Sequence, residues 1–252
     1  MLGHPHDVFN ARCQFELGDS FVKLAPNGTI ADYFTPWNQA AMNANGLDLG
    51  SAGPVLLPDQ PGAHPHLMVS AGKNGTIYLV DRDAMGRFSG TTNDNQIVQS
   101  LPGVFGAGTP LPGNFSAPVF FNGVVYFSPV SDAIQAFPLS SGRFSVSSTR
   151  TSDTFGYPGA ALAISAAGTS QGILWALQRN GACGAAASCA SSAPAVLRAY
   201  DAANLETLLY SSDQIANRDR LDDAAKFSVP LVANGKVFVG SMTELSIFGL
   251  LP

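Results

Sequence analysis

The chain has 252 residues, of which 46% are hydrophobic and 12% are charged, so it carries enough apolar material for a sizeable core and is not expected to be intrinsically disordered. Lysine and arginine together number 13 against 18 aspartate and glutamate residues, for a formal net charge of -5. Non-specific binding of nucleic acid needs a basic surface, and the sequence contains no basic run, so no nucleic-acid partner is expected. No segment approaches the roughly 20 consecutive apolar residues of a membrane-spanning helix, so no membrane partner is expected.

The first residues and the cysteines bear on the compartment of the protein. Residues 1–7 lack the charged-then-apolar layout of a signal peptide, so this sequence is expected to carry no leader. The cysteines are Cys13, Cys183 and Cys189. The last two stand six positions apart among small residues, where they could close a short disulfide or remain free thiols. Because no Cys-x-x-Cys pair or suitably spaced histidine accompanies them, a zinc site is not expected.

Short runs of β-branched and aromatic residues follow one another along the chain, and Gly, Pro, Asn or Asp bounds each run, as is typical of strands. The first strands are predicted at residues 20–25, 29–34, 66–71 and 76–80. No segment keeps a helical period, so helix is expected only as short turns at residues 36–42 and 212–225. The pattern predicts an all-β protein.

Asn-Gly dipeptides separate pairs of apolar runs along the whole chain. They are Asn27-Gly28, Asn74-Gly75, Asn122-Gly123 and Asn234-Gly235. This dipeptide supplies the positive φ values of a tight type I′ turn, so each is predicted to close a β-hairpin.

The hairpins repeat in matched units, each with a small-x-Pro strand, a turn, an aromatic-rich strand and a third strand. The clearest units are residues 116–137 and 228–248, and further copies begin at residues 53 and 159. Outer fourth strands are predicted at residues 96–101, 144–146 and 207–210. Four-stranded antiparallel units that recur and stack radially form a β-propeller. A β-sandwich is the alternative fold, although its strands need not recur in groups of four.

The two ends of the chain bear on how such a ring would close. The start offers only the strands at residues 20–25 and 29–34, and the last unit stops after its third strand. We therefore expect about five blades, with a composite closing blade that combines strands from both ends. If the ring stays open, the exposed blade edges are expected to drive dimerisation.

Distinctive segments of the sequence carry a resemblance to a known family. They are residues 18–24 (GDSFVKL), 32–39 (DYFTPWNQ), 47–51 (LDLGS), 71–83 (AGKNGTIYLVDRD) and 226–230 (KFSVP). Together they resemble the PQQ-like β-propeller proteins of the quinoprotein alcohol dehydrogenase-like superfamily. The resemblance assigns residues 18–252 to the propeller and leaves residues 1–17 unmatched. Members are usually longer, so the chain resembles the C-terminal portion of one, and the family implies export to the periplasm or the extracellular space.

The resemblance implies the fold more than the activity, because one fold hosts many functions. Quinoprotein dehydrogenases hold PQQ with a vicinal Cys-Cys disulfide, a tryptophan platform and a calcium-binding carboxylate cluster. This sequence has no adjacent cysteines, and its tryptophans are Trp37 and Trp175. We therefore do not expect PQQ, since the residues that would bind this cofactor are missing.

Histidines and aspartates provide the candidate metal ligands. The four histidines stand in two His-Pro-His units, and those of the second unit are His64 and His66. The segment that begins Asp81-Arg-Asp83 has oxygen donors two positions apart and a glycine at its sixth position, as at the start of a calcium loop, but no later acidic ligand. Asp81 and Asp83, helped by Asn93, Asp94 and Asn95, are the predicted Ca²⁺ ligands, and His64 or His66 together with one histidine of the first unit is the predicted histidine metal site. Ordinary turn chemistry and surface histidines are the alternative.

Charged residues close to strand starts are the candidate catalytic groups. They are Asp48, Lys73, Arg218 and Asp219. We expect them near the central funnel, where loops from different blades converge and charges of both signs can orient a polar substrate; Lys226 has a similar position. Solvated loop charges or blade-to-blade ion pairs are the alternative. Ser170 fits a nucleophile-elbow pattern but stands between two predicted strands, which indicates a hairpin instead.

The sequence leaves more than one function open. The first is a non-enzymatic propeller that binds a protein or glycan partner. The alternative is a hydrolase of small esters or lactones, in which a divalent cation in the funnel polarises the carbonyl and activates water. A quinone-dependent dehydrogenase is the third and least supported reading.

Overall fold

A computed structural model describes residues 17–105, 113–145, 148–179 and 193–249. In these ranges 18 strands and two short α-helices are arranged so that the strands form five separate sheets. Strands that are neighbours in a sheet run antiparallel, and each sheet uses a continuous stretch of the chain. The predicted all-β class with four-stranded antiparallel units is confirmed.

The described part of the chain begins with a hairpin, which is followed by the first sheet. The hairpin consists of β1 (Phe21–Leu24) and β2 (Ile30–Phe34), and it is followed by α1 (Gln39–Asn45) and a 3-10 turn (Leu49–Ser51). The first sheet consists of β3 (Val55–Leu56), β4 (Leu67–Ala71), β5 (Ile77–Asp81) and β6 (Gln99–Leu101). All residues of β4 and β5 are buried on both faces, which shows that other elements cover this sheet from both sides.

The later sheets follow in chain order. The second sheet consists of β7 (Val119–Phe121), β8 (Val124–Phe127), β9 (Asp132–Ser140), β10 (Arg143–Phe144) and β11 (Thr149–Phe155). The third sheet consists of β12 (Ala161–Ala167), β13 (Ser170–Arg179), β14 (Ala195–Asp201) and β15 (Asn204–Ser211). After α2 (Ala216–Asp219), the last sheet consists of β16 (Leu231–Ala233), β17 (Lys236–Gly240) and β18 (Leu245–Phe248).

The outer edge of the second sheet differs from the prediction. The strand predicted at residues 144–146 is the two-residue β10, and a further strand, β11, was not predicted. Because β9 is nine residues long, β10 can pair with its end and β11 with its beginning. The polar composition of β11 hides it from an apolar-run search, although its Thr151 and Phe155 are buried.

Apolar layers between successive sheets hold the stack together. Phe34 of the hairpin packs on Tyr78 of the first sheet, with ring centroids 5.5 Å apart. Phe127 of the second sheet lies in one cluster with Leu67 of the first, and two further clusters join the second sheet to the third and the third to the last. Four-stranded sheets that stack face to face in chain order have the blade arrangement of a β-propeller.

The Asn-Gly turns fall into two groups. At Asn122-Gly123 and Asn234-Gly235 both residues have positive φ, as a type I′ turn requires. At Asn27-Gly28 and Asn74-Gly75 only the glycine does, so these turns are not type I′. In both of the latter the asparagine side-chain oxygen accepts a hydrogen bond from the backbone N–H two residues later, which stabilises a different turn.

The predicted composite closing blade does not form among the described residues, and this prediction is wrong. The strands β1 and β2 pair with each other, and β16–β18 form a sheet of three strands without them. The physical reason is that the inward rings of Phe21 and Phe34 are buried against the first sheet. A parallel bridge between Phe34 and Arg87 further fixes the hairpin there.

Close backbone approach between the sheets predicts the effect of a glycine substitution. Gly159 has a φ of +89°, and a Cβ at this position would lie 2.4 Å from the Ser128 carbonyl oxygen. Gly168 has a φ of +64° but no atom within 4 Å of such a Cβ, so it is the matched control. We expect Gly168→Ala to lower the free energy of unfolding by about 1 kcal/mol and Gly159→Ala by roughly 2 kcal/mol more, measured by urea denaturation. Equal losses would contradict the close approach.

A buried tyrosine predicts how stability depends on alkaline pH. Tyr126 donates a hydrogen bond to the Ala202 carbonyl at 2.7 Å, and burial raises the pKa of Tyr126 to about 12. Its contribution is complete below its unfolded pKa of about 10 and is lost as pH rises through the folded value. We expect Tyr126→Phe to cost about 1 kcal/mol at neutral pH, and its stability to fall less steeply than that of the wild type between these pKa values, measured by urea denaturation. Equal slopes would contradict this assignment.

Candidate functional site

The connections between the sheets reach one common end of the stack. In a sheet whose strands alternate in direction, the turn between the second and third strands lies at the end where the first strand begins and the fourth strand finishes. The segments that lead into β3, β7, β12 and β16 therefore lie beside those turns. We call this the connection end of the stack.

Backbone hydrogen bonds fasten the connecting segments to the neighbouring turns. The N–H of Asn114, before β7, donates to the Gly72 carbonyl in the first sheet at 3.2 Å. The N–H of Met242, in the last sheet, donates to the Asp223 carbonyl before β16 at 2.9 Å. These bonds fix where the side chains of the connecting segments lie.

A row of lysine and aromatic side chains crosses the connection end. Lys73 Nζ lies 5.9 Å from the ring centroid of Phe115, and this ring meets Tyr157 edge-on at 5.2 Å. Lys226 Nζ lies 4.9 Å from the Tyr157 centroid and 5.1 Å from that of Phe227. Because Phe115, Tyr157 and Phe227 precede the first strands of successive sheets, this lysine–aromatic row runs from sheet to sheet.

The two lysines of the row differ in their partners. Lys73 forms an ion pair with the Asp48 carboxylate and donates to the Gly46 carbonyl at 3.3 Å, and it is half-buried. Lys226 is exposed, and within the described ranges its contacts are the two aromatic rings. Cation–π contacts leave a lysine charge available to an anion. The positive charge that a ligand can reach is therefore that of Lys226.

Phe227 is unusual in both exposure and backbone conformation. Its side chain is 54% exposed, and its φ is +66°. A bulky residue in the left-handed region costs free energy, and such strain is often found where a side chain is held for binding. A cavity of about 30 Å³ beside it has room for about one water molecule, so the row is a surface and not a deep pocket.

A larger apolar groove begins next to the row. Its volume is about 650 Å³. It is lined by Val55, Leu56, Leu57, Pro58, Pro118, Val119, Phe120 and Ile164. These residues belong to β3, β7 and β12 or adjoin them, so the first strands of three sheets form the groove. Phe115 precedes Pro118 by three positions, which places the row at the end of the groove where the strands begin.

The first strands are also the edges of their sheets. Each of β3, β7 and β12 pairs with only one strand of its sheet, so its other edge keeps unpaired backbone N–H and C=O groups. The groove therefore combines apolar side chains with backbone groups that can form hydrogen bonds to an extended chain.

The structure places the four predicted catalytic residues in two separate ion pairs. Asp48 and Lys73 lie at the connection end beside the row. Arg218 instead binds Asp219 through two bonds of 2.6 Å, and Tyr210 of β15 donates to the same carboxylate at 2.9 Å. The Arg218 guanidinium holds the pKa of the Asp219 carboxyl below its usual range. Since β15 is the outermost strand of the third sheet, this pair lies away from the groove.

The predicted metal ligands also form two separate pairs. His64 Nδ1 lies 2.8 Å from Asp81 Oδ2, and His66 Nδ1 lies 2.6 Å from Asp83 Oδ2. Asp81 Oδ1 accepts the Asp83 N–H at 2.8 Å, which is the turn geometry of an Asp-x-Asp sequence. Across the ranges that the structure describes, no three His, Cys, Asp or Glu side chains come together in a metal-binding group.

Other motifs have structural partners or cannot be placed. Asp94 accepts the Trp37 N–H at 2.8 Å, and burial raises the pKa of its carboxyl. Ser170 donates to the Ala167 carbonyl at 3.0 Å within the β12–β13 hairpin, as its position between two strands predicted. The cysteines and the first His-Pro-His unit lie outside the described residues: Cys13, Cys183, Cys189, His4 and His6.

Sequence reasoning missed the aromatic residues of the row. A signal was present, because Phe115 and Phe227 each stand one position before the serine of the repeated small-x-Pro strand. An aromatic residue in the same place of two repeats indicates a shared location at the ends of their first strands. Tyr157 lacks that motif, and only the structure joins it to the other rings.

The fold and the site define an all-β protein of stacked antiparallel blades with an apolar groove along their first strands. No protein-family model matches the chain, and no curated protein sequence matches it. In the ranges described, no helix has the length and apolar character to cross a membrane.

Similar solved structures include natural and designed proteins. BamB from Moraxella catarrhalis is 13% identical, with a TM-score of 0.44 over 91% of this chain and 66% of that one. The computationally designed proteins Ika8 and Ika4 are 12% and 13% identical, with TM-scores of 0.42 and 0.39. The match covers 79% of this chain and 45% of Ika8, and 75% of this chain and 87% of Ika4. The chain thus spans less than half the length of Ika8 and about two thirds that of BamB.

The histidine–aspartate pairs predict a local pKa change. The hydrogen bond from His66 lowers the pKa of Asp83, so the bond persists while Asp83 is ionised and is lost as pH falls through that lowered value. We expect His66→Leu to move the pKa of Asp83 up towards its usual value, measured by NMR titration of the side-chain carboxyl carbon. His64→Leu is the control, because His64 binds Asp81 instead. An unchanged pKa of Asp83 in His66→Leu would contradict the pairing.

Proposed function

We propose that the chain is a non-enzymatic binding module of the PQQ-like propeller type, and that it binds an extended segment of a protein partner. The observation that carries this proposal is the lysine–aromatic row at the end of an apolar groove lined by three sheet edges. The row lies at the end of the groove where the first strands begin, so one extended ligand can contact the row and the groove together.

The groove favours a peptide over a small polar substrate. Its lining consists of aliphatic, proline and phenylalanine side chains, which bind apolar groups by removing them from water. The unpaired edges of β3, β7 and β12 supply backbone donors and acceptors in the spacing of a strand. An extended peptide uses both, because its side chains enter the groove while its backbone pairs with an edge.

The row adds a preference for negative charge. Lys226 offers an exposed cation that has no acidic partner within the described ranges, so it can attract a negatively charged group. Phe227 beside it supplies an exposed ring. A partner segment with apolar residues followed by Asp or Glu fits this arrangement.

The charged residues first considered for catalysis support this reading. Asp48 neutralises Lys73, and Arg218 neutralises Asp219, so these charges serve one another within the fold. Lys226, by contrast, has contacts with two aromatic rings and no acidic partner among the residues that the structure describes. Charge recognition is therefore assigned to Lys226.

Peptide binding tests the proposal. The probes are two fluorescent peptides with the same alternating valine–serine segment, one ending in two glutamates and the other in two lysines, and binding is measured by fluorescence anisotropy. We expect the acidic peptide to bind the wild type more tightly than the basic one. Lys226→Glu should weaken acidic-peptide binding about tenfold, because it replaces attraction by repulsion.

Matched variants separate the site from general effects of charge. Lys236→Glu makes the same charge change at an exposed position next to the β16–β17 turn, which is at the other end of the last sheet from Lys226. This variant should leave the affinity for the acidic peptide nearly unchanged. Leu56→Asp in the groove should abolish binding, whereas Leu209→Asp, on an exposed side chain of β15, should not. Absence of wild-type binding, or equal effects of Lys226→Glu and Lys236→Glu, would overturn the proposal.

A further inference from the structure

A separate cavity lies between the first and second sheets. Its volume is about 250 Å³. The first sheet contributes Pro61, Ala63, His64 and Val98 to its walls, and the second contributes residues 141–143. These residues belong to the β3–β4 connection, the start of β6 and the β9–β10 turn. Because the connection end holds the turns between second and third strands, this cavity lies at the opposite end of the stack.

Contacts with the first sheet fix the second-sheet wall of the cavity. The Gln99 side chain of β6 accepts the Phe144 N–H at 2.8 Å and donates to the Phe144 carbonyl at 3.2 Å. Phe144 is buried in the apolar cluster between the two sheets. In the turn before it, a Cβ on Gly142 would lie 3.6 Å from Leu67 Cδ1, so the turn packs on the first sheet. Arg143, which stands between these two anchored residues, is therefore held beside the β3–β4 connection.

Arg143 brings an unpaired positive charge to the cavity. Its side chain is exposed, and within the described ranges it has no ion pair and no hydrogen bond. Three aspartates at this end of the first sheet are already engaged, since Asp59, Asp81 and Asp83 lie 3.8, 2.8 and 2.6 Å from histidine nitrogens. A guanidinium group presents planar donors that match a carboxylate in a bidentate pair. The free charge of Arg143 therefore suits a ligand carboxylate.

His64 adds a hydrogen-bond acceptor of fixed orientation. Its Nδ1 lies 2.8 Å from Oδ2 of the nearly buried Asp81 side chain. An ionised carboxylate can only accept a hydrogen bond, so Nδ1 of the neutral imidazole carries the proton and donates it. The lone pair is then on Nε2, which has no partner in the part of the chain that the structure describes. His64 can therefore accept a hydrogen bond from a hydroxyl group.

Together these groups define a class of ligand. We propose that the cavity binds a small hydroxycarboxylate, whose carboxylate pairs with Arg143 and whose hydroxyl donates to His64 Nε2. Pro61, Ala63 and Val98 supply apolar walls for a short carbon chain. The cavity is smaller than the roughly 300–1,000 Å³ of sites for drug-sized ligands, which restricts it to a small acid. This inference does not depend on the peptide site, which lies at the other end of the stack.

Titrations followed by amide NMR spectra of the full chain test the proposal. The probes are lactate, propanoate, which lacks the hydroxyl, and lactamide, which lacks the charge, all at constant ionic strength. We expect lactate to shift the amide resonances of Ala63, Gly142 and Arg143 in a saturable manner. Propanoate should bind about fivefold more weakly, because one hydrogen bond is lost. Lactamide should bind about tenfold more weakly, because the charge-assisted pair is lost.

Variants separate the cavity from general effects of charge. Arg143→Met should weaken lactate binding about tenfold, whereas Arg150→Met, which removes an exposed arginine of the same sheet outside the cavity, should not. Ala63→Leu reduces the cavity volume without a change of charge and should also weaken lactate binding. His64→Leu should abolish the preference for lactate over propanoate.

The controls and the contrary outcomes are defined for each part of the proposal. Circular dichroism should show wild-type strand content in every variant. Absence of saturable lactate shifts in the wild type, or equal losses of affinity in Arg143→Met and Arg150→Met, would overturn the proposed site. Equal affinities of the wild type for lactate and propanoate would overturn the hydroxycarboxylate as its ligand, since the hydroxyl would then have no partner.

Discussion

The structure depends on sheets that are apolar on both faces. A sheet with one polar face needs a packing neighbour on its apolar face only, whereas a sheet such as β3–β6 needs a neighbour on each of its two faces. Stacking in chain order satisfies this need with short connections, and the aromatic contacts between layers show how closely the faces meet. Burial of these faces, and not any single polar contact, therefore decides the order of the blades.

The same constraint explains which parts of the fold could be predicted from sequence. Strands and turns are encoded locally, so Asn122-Gly123 and the apolar runs beside it predicted a hairpin that the structure contains. The prediction of a composite closing blade depended on knowing which face of the β1–β2 hairpin is buried. Both faces carry large apolar residues, such as Phe21 and Leu24, and periodicity alone does not choose between them. The strand β11 was missed because its burial comes from Thr151 and Phe155 among polar residues.

The candidate site, like the fold, could be predicted from sequence only in part. Sequence reasoning placed Asp48, Lys73, Arg218, Asp219 and Lys226 together near the central funnel. In the structure Asp48, Lys73 and Lys226 lie at the connection end, whereas Arg218 and Asp219 lie beside the outer strand β15. Sequence reasoning did not show that Asp48 and Lys73 bind each other, nor that Tyr210 holds Asp219 at the outer strand. Ion pairing and ring stacking between residues far apart in sequence depend on how the blades are spaced. Local patterns carry no such information.

The connecting segments have a consequence for how this surface can change. Their backbones are tied to neighbouring turns, as at Asn114 and Gly72, whereas side chains such as Phe227 project into solvent. Under the proposed binding function, the main chain therefore supplies support and the side chains supply recognition. The ring at position 227 can be exchanged without disturbing the layers beneath it, so a substitution there would change what this surface contacts while the scaffold stays the same.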